Sequence, residues 1–221
     1  MAMVRISTVA VAACLILSLG ATVALADPIV YQPYNIKDNY IDSSNPDDNQ
    51  GVRAWVNAGH GDGSNNRHIW ALIQFEDLSS LPGNVQSAKL ELYRYTGSGT
   101  GTTVSAYQIT SDWVENSVTW NTKPTTGSTA VDTITVPSDL NVWHSLDITS
   151  LYNAWKAGTA TNYGVQIRTG TNNGETFGYY SSESGYTDLR PRLVIVVPEP
   201  ASMSLVALAS LAMWIRRRRQ R

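Results

Sequence analysis

Two acidic residues flank a tryptophan in Asp112-Trp113-Val114-Glu115, and Thr119-Trp120-Asn121 follows closely. Paired carboxylates are the equipment of glycoside hydrolysis, one as acid and the other as base or nucleophile. The same residues also make a turn held by two buried tryptophans, with Asp112 and Glu115 accepting backbone N–H groups. The turn is the reading adopted here. The only histidines are His60, His68 and His144, and neither a His-Glu-x-x-His pair nor a Gly-x-Ser-x-Gly elbow is present. The single cysteine, Cys14, lies in the first apolar stretch, so the remainder has no thiol nucleophile and no disulfide. The chain is therefore read as a protein other than an enzyme.

Two groups of residues suit binding instead. Asp38, Asp42, Asp47 and Asp48 cluster with Asn49 near the start. Hard oxygen donors at close spacing suit a structural Ca²⁺, which takes about six to eight of them. A solvated turn around Pro46 accounts for the same residues. The second group is aromatic. Arg53, Trp55 and Asn57 alternate with Val52, Ala54 and Val56, Trp70 and Gln74 share one face of their segment, and Tyr93 lies outward on its own. On neighbouring strands these six would form an aromatic-polar platform, on which the C–H face of a pyranose stacks beside hydrogen-bonding side chains. The competing placement puts Trp70 and Tyr93 under a loop as satellite core. Tyr179, Tyr180 and Tyr186 form a second candidate patch.

The elements that must position these residues are mostly strands. Ile69, Ala71, Ile73 and Phe75 alternate against Trp70, Leu72 and Gln74, which predicts a central strand apolar on both faces. Ala88, Leu90 and Leu92 alternate with Lys89, Glu91 and Tyr93. Further strands are predicted over Val52–Asn57, Thr103–Ile109, Ser128–Val136, Val142–Ile148, Gly164–Thr169, Thr176–Ser182 and Arg192–Val197, separated by Gly/Ser/Thr/Asn clusters. Between Thr149 and Ala157 the spacing of Leu151, Tyr152 and Trp155 becomes helical, with Thr149 or Ser150 as cap and Gly158 as terminator. The expected fold is all-β: a two-sheet jelly-roll β-sandwich with one short helix.

The two ends read as address labels. Residues 1–26 carry Arg5, an uncharged apolar stretch from Ile6 to Val23, and Ala24-Leu25-Ala26 as a small-x-small cleavage site, the parts of a secretory signal peptide. Residues 198–221 run from Pro198-Glu199-Pro200 through an apolar Ala201–Ile215 to Arg216, Arg217, Arg218 and Arg219. Fifteen residues of helix reach only ~23 Å, short of a ~30 Å hydrocarbon core. Order and position resemble the PEP-CTERM sorting signal of bacteria that use an exosortase. That resemblance implies handling by the exosortase at the inner membrane and delivery to the cell envelope or an extracellular matrix. Between the ends, residues 27–197 form one domain with 10 basic and 17 acidic residues, a net charge of −7. Such a surface points away from nucleic acid and from simple electrostatic capture of anionic polymers, and suits neutral ligands or anions bridged by a bound cation.

Within the domain, several stretches occur in a specific order. They include Asp38-Asn39-Tyr40-Ile41-Asp42, Leu72-Ile73-Gln74-Phe75, Ser87-Ala88-Lys89-Leu90-Glu91-Leu92-Tyr93, Asp112-Trp113-Val114-Glu115, Leu146-Asp147-Ile148-Thr149, Asn162-Tyr163-Gly164 and Arg190-Pro191-Arg192-Leu193. This pattern resembles the DNRLRE, or disaggregatase-related, domains, which are similar to alginate-binding carbohydrate modules. The resemblance implies a jelly-roll sandwich associated with polysaccharide, with catalysis belonging to other domains. The expectation is a non-catalytic, exported polysaccharide-binding or matrix-associated module; the alternative is a structural surface protein acting through protein–protein contacts.

Overall fold

The computed structural model describes residues 27–61, 67–98, 102–137, 139–170 and 175–198. Eleven strands and one α-helix lie among the described residues: β1 (Ile29–Tyr31), β2 (Ile36–Asp42), β3 (Trp55–His60), β4 (His68–Phe75), β5 (Ser87–Ser98), β6 (Thr103–Ile109), β7 (Thr126–Thr135), β8 (Val142–Asp147), α1 (Thr149–Ala157), β9 (Val165–Thr169), β10 (Thr176–Tyr180) and β11 (Arg192–Val196). The predicted signal peptide and the apolar sorting tail lie outside the described residues.

Every described pairing is antiparallel. The strands follow the order β1-β11-β5-β10-β3-β4-β9-β6-β7, with β2 added to β4 and β8 to β5. The sheet curls on itself into a sandwich. One layer is organised around β5, which holds β8 on one edge and β11 then β10 on the other. The second is organised around β4, with β2 on one edge and β3 then β9 on the other. The two predicted sheets are thus continuous through β3 and β10, because these strands pair with each other as well as with β4 and β5.

Alternation explains which side of each strand is covered. Ala71, Ile73 and Phe75 of β4, Ala88, Leu90 and Leu92 of β5, Val165 and Ile167 of β9, and Phe177 and Tyr179 of β10 join one core cluster between the layers. Leu90 and Leu92 are wholly buried, each contributing about 2–3 kcal/mol of transfer free energy. Among the described residues the buried core runs from Ile36 to Ile195. The outward side of β4 is apolar too, as predicted. Leu72 is roofed by Ile41, Ile109, Trp113 and Val118, with Trp70, Trp120 and Tyr163 at the margin.

The helix occupies the predicted residues, and Gly158 closes it at φ +72°, the left-handed conformation that a glycine adopts without strain. Its start differs: Ile148 is the capping residue and no side chain caps the helix. The Thr149 hydroxyl instead accepts the Ala88 N–H at 2.9 Å, tying helix to sheet. Two other boundaries are corrected. Part of the expected acidic loop is strand β2, because Ile36, Asp38, Tyr40 and Asp42 oppose Phe75, Ile73, Ala71 and Ile69. The strand expected from Val52 begins at Trp55, since Arg53 N–H closes a turn on the Gln50 carbonyl at 3.1 Å.

Candidate functional site

One row of aromatic side chains crosses four strands. Trp55 of β3 stands directly opposite Tyr180 of β10. Tyr180 stacks on Tyr95 of β5 at 4.5 Å and lies 6.1 Å from Tyr93, both at 14° between ring planes. Tyr93 in turn opposes Trp143 of β8, with ring centroids 5.2 Å apart. The neighbours in sequence, Val56, Tyr179, Leu92, Arg94 and His144, are buried, so pleating sends the row outward. Four strands set three spacings, about 14 Å of length. Tyr186, 63% exposed, approaches Tyr180 at 5.1 Å and widens the row.

Geometry decides what this row can offer. The three parallel tyrosine rings cover one another's faces, and the Arg192 guanidinium covers Trp143 at 3.8 Å. The surface presented is therefore one of ring edges and phenol hydroxyls, with Trp55 and its neighbour Arg53 at one end. Burial pushes the Tyr180 and Tyr95 hydroxyls above their ordinary pKa, with nearby tyrosines adding to the effect. They stay neutral donors and acceptors, suited to sugar hydroxyls. Arg192 is held by Glu91 at 2.7 Å, so its charge is already balanced.

Of the six residues expected to form a platform, Trp55, Asn57 and Tyr93 belong to strands of this region and Arg53 to the turn that leads into β3, whereas Trp70 and Gln74 belong to β4. Trp70 faces outward on the β4 layer and packs on Trp120 at 4.5 Å. Gln74 is 8% exposed and donates to the Asn162 carbonyl at 2.8 Å, a structural bond. The reason is the curl: β3 leaves the β4 layer to pair with β10, so the outward faces of β3 and β4 diverge. Tyr95, Tyr180 and Trp143 complete the row in their place. The candidate patch Tyr179, Tyr180 and Tyr186 carried the sequence signal for this; Tyr180 and Tyr186 take part, whereas Tyr179 turns inward to hydrogen-bond His144 at 2.9 Å.

A model of carbohydrate-binding module family 96 matches residues 31–197, the described sandwich from the end of β1 onward. The chain belongs to that family. A PEP-CTERM protein-sorting motif matches residues 196–219. The protein is thus a carbohydrate-binding module with an exosortase-dependent sorting signal. The match bears out the resemblance to carbohydrate modules and does not include the disaggregatase-related designation. No curated protein matches the module. Among the described residues no helix is long and apolar enough to cross a membrane.

The acidic residues of the module are arranged otherwise than expected. Asp42 is bound by the Arg67 guanidinium. Burial opposes its ionisation, yet hydrogen bonds from Arg67, Ser44 and Asn45 hold its carboxyl below the ordinary value. Asp47 accepts from Asn121 at 2.8 Å, and Asp48 is exposed. These three do not join Asp38. Asp38 meets Glu115 and Glu183 instead, with carboxylate oxygens within 4.8 Å of one another. Glu115 accepts the Asp38 backbone N–H at 2.7 Å, and Asp38 accepts that of Ser182 at 2.7 Å. Burial first, then Glu183, raises the Asp38 carboxyl well above the ordinary range, and burial raises Glu115 also. Glu115 and Glu183 line a groove of about 570 Å³ together with Tyr34, Lys37 and Trp113, and Asp38 lies buried behind them. The donors of the trio are of the kind a hard divalent cation takes, though three carboxylates are only part of a calcium shell. Asp112, the other half of the suspected catalytic pair, pairs with Lys37 at 3.4 Å and holds the Trp113 N–H. Both acids accept backbone N–H groups, Asp112 within its own turn and Glu115 from β2.

Proposed function

We propose that this non-catalytic module holds a neutral polysaccharide along the outward row Trp55–Tyr180–Tyr95–Tyr93, with Asn57 and Arg53 beside it, and that sorting delivers it to the cell surface. The carrying observation is the row itself. A contiguous aromatic strip left part-exposed by a soluble layer marks a recognition surface. Tyr180 of β10 and Tyr93 and Tyr95 of β5 offer neutral phenol hydroxyls to the sugar hydroxyls of an extended chain. The net charge of −7 on residues 27–197 and the pairing of Arg192 with Glu91 favour an uncharged chain.

Affinity electrophoresis of residues 27–197 in gels containing neutral polysaccharides tests this. Retardation by at least one polymer is expected, weakened about tenfold in Tyr180→Ala, a loss of ~1.4 kcal/mol, and likewise in Trp55→Ala. Retardation that both variants retain in full places the ligand elsewhere on the module.

A further inference from the structure

Residues 27–197 contain no sulfur. Cys14 and the methionines Met1, Met3, Met203 and Met213 all lie outside them. Thiols and thioethers are the side chains that oxidants ordinarily attack first. In this module the attack falls on phenols and indoles instead, and all 11 tyrosines of the chain lie within it. An exported domain also works beyond the reach of the cytosolic thiol-reducing systems. Where its tyrosines sit therefore decides what an oxidant does to it.

Four of these tyrosines touch. From ring centroid to ring centroid, Tyr180 has Tyr95 at 4.5 Å, Tyr186 at 5.1 Å and Tyr93 at 6.1 Å. Tyr93 and Tyr95 are fixed in β5, and their rings lie nearly parallel to that of Tyr180. Tyr186 differs on both counts, being tilted 43° to Tyr180 and carried on the loop between β10 and β11. A loop residue can close the last distance to a neighbouring ring edge, whereas two strand residues are held at their spacing. The loop nonetheless keeps Tyr186 in place. Its N–H donates to Ser184 Oγ at 3.2 Å, and its carbonyl accepts the Leu189 N–H at 2.9 Å. The Ser184 carbonyl in turn accepts two bonds from the Arg190 guanidinium. After burial, it is Tyr186 that most raises the Tyr180 hydroxyl pKa, so the phenol oxygens are neighbours as well. Tyr34 is the contrasting case. It is 77% exposed against 63% for Tyr186, yet its ring lies beside the Arg190 guanidinium, and no second aromatic ring packs on it among the described residues.

We propose that Tyr180 and Tyr186 form an oxidative cross-linking site. The co-reactant is hydrogen peroxide, acting through a peroxidase as a one-electron oxidant. Each phenol gives up one electron and its hydroxyl proton, and the two phenoxyl radicals join through ring carbons beside their oxygens. Those carbons lose their hydrogens as protons while the oxygens regain theirs, so both hydroxyls survive. The two electrons and two protons reduce one peroxide to two waters, and the module becomes lighter by two hydrogen atoms. Pre-positioning favours this pair over random encounters, because the partner is already in contact when the first radical forms. The link ties the β10–β11 loop to β10 and gives a disulfide-free module a covalent staple. It also fixes one edge of the aromatic row, a consequence that rests on the polysaccharide reading, whereas the coupling itself does not.

The test treats the full chain in detergent with hydrogen peroxide and a haem peroxidase. Cleavage after glutamate cuts at Glu183, between the two tyrosines. Mass spectrometry should find the fragments on either side joined and lighter by two hydrogens, with the blue fluorescence of dityrosine. Tyr186→Phe should lower that fluorescence about tenfold, the advantage of a pre-positioned pair over collisions between molecules, while Tyr34→Phe leaves it unchanged. Tyr186 is exposed, so Y186F keeps the fold and reports on the coupling alone. Unfolding in urea before treatment should abolish the preference for this pair. Joined fragments that involve Tyr34, fluorescence that persists in Y186F, or a complete lack of dityrosine overturns the proposal. Retardation by neutral polysaccharides, measured on the same preparation, bears on the aromatic row only. Coupling without retardation therefore supports this site and removes the ligand.

Discussion

His144 shows how acid would act on the buried polar network beneath the aromatic row. The residue is 2% exposed, its Nδ1 meets the Tyr179 hydroxyl at 2.9 Å, and its Nε2 has no partner. Burial, followed by the neighbouring Arg94 guanidinium, lowers its pKa from 6.5 to about 4. The unfolded chain binds this proton near pH 6.5, whereas the folded one refuses it until about pH 4. The stabilisation is thus fully present above the unfolded value and is lost as pH falls between the two. A shift of this size corresponds to about 3 kcal/mol, a large share of the ~5–15 kcal/mol typical of a domain. Asp38 and Glu115, whose pKa values are raised, act in the opposite sense, so a difference measurement is needed. Urea unfolding of wild type and His144→Gln at pH 7.5, 6.5, 5.5 and 4 provides it, because glutamine can still bond Tyr179 and does not titrate. Wild-type stability relative to the variant should fall by about 3 kcal/mol across that range. A change below ~1 kcal/mol would refute the assignment of His144 as a buried neutral base.

Two further outcomes follow from the packing. Asp38 is 1% exposed among carboxylates, so removing its charge should help at neutral pH. Asp38→Asn is expected to raise Tm by about 2–4 °C in chelator, the effect of ~1 kcal/mol at this size. A lower Tm refutes the account, and millimolar Ca²⁺ that stabilises wild type but not the variant would seat an ion among Asp38, Glu115 and Glu183. Gly164 has φ +85°, and a Cβ there would land on the Ile73 carbonyl oxygen. Gly164→Ala should cost about 2 kcal/mol or more, read as a lower urea midpoint with unchanged slope; an unchanged midpoint would show that the β4–β9 approach relaxes freely.

Period-two alternation, turn composition and the helical spacing of Leu151, Tyr152 and Trp155 determined the elements and the all-β class, because each is a local property of the chain; the carbohydrate association was implied by the family resemblance of the ordered motifs. The same holds for the sorting motif, whose order of Pro-Glu-Pro, apolar run and arginines needs no fold to be read. The choice of partners was beyond local pattern. Alternation says that Trp55, Trp70 and Tyr93 point outward from their strands, but not whether those strands share a face. Only the curl through β3 and β10 decided that Trp55 meets Tyr180 and Tyr95, while Trp70 joins Arg168 on the other layer. Charge behaved the same way. Asp38 looked like a neighbour of Asp42, Asp47 and Asp48 because they are close in sequence. Its actual companions, Glu115 and Glu183, arrive from segments far along the chain, since pairing and loop closure are set by the total free energy of the packed core rather than by any local run of residues.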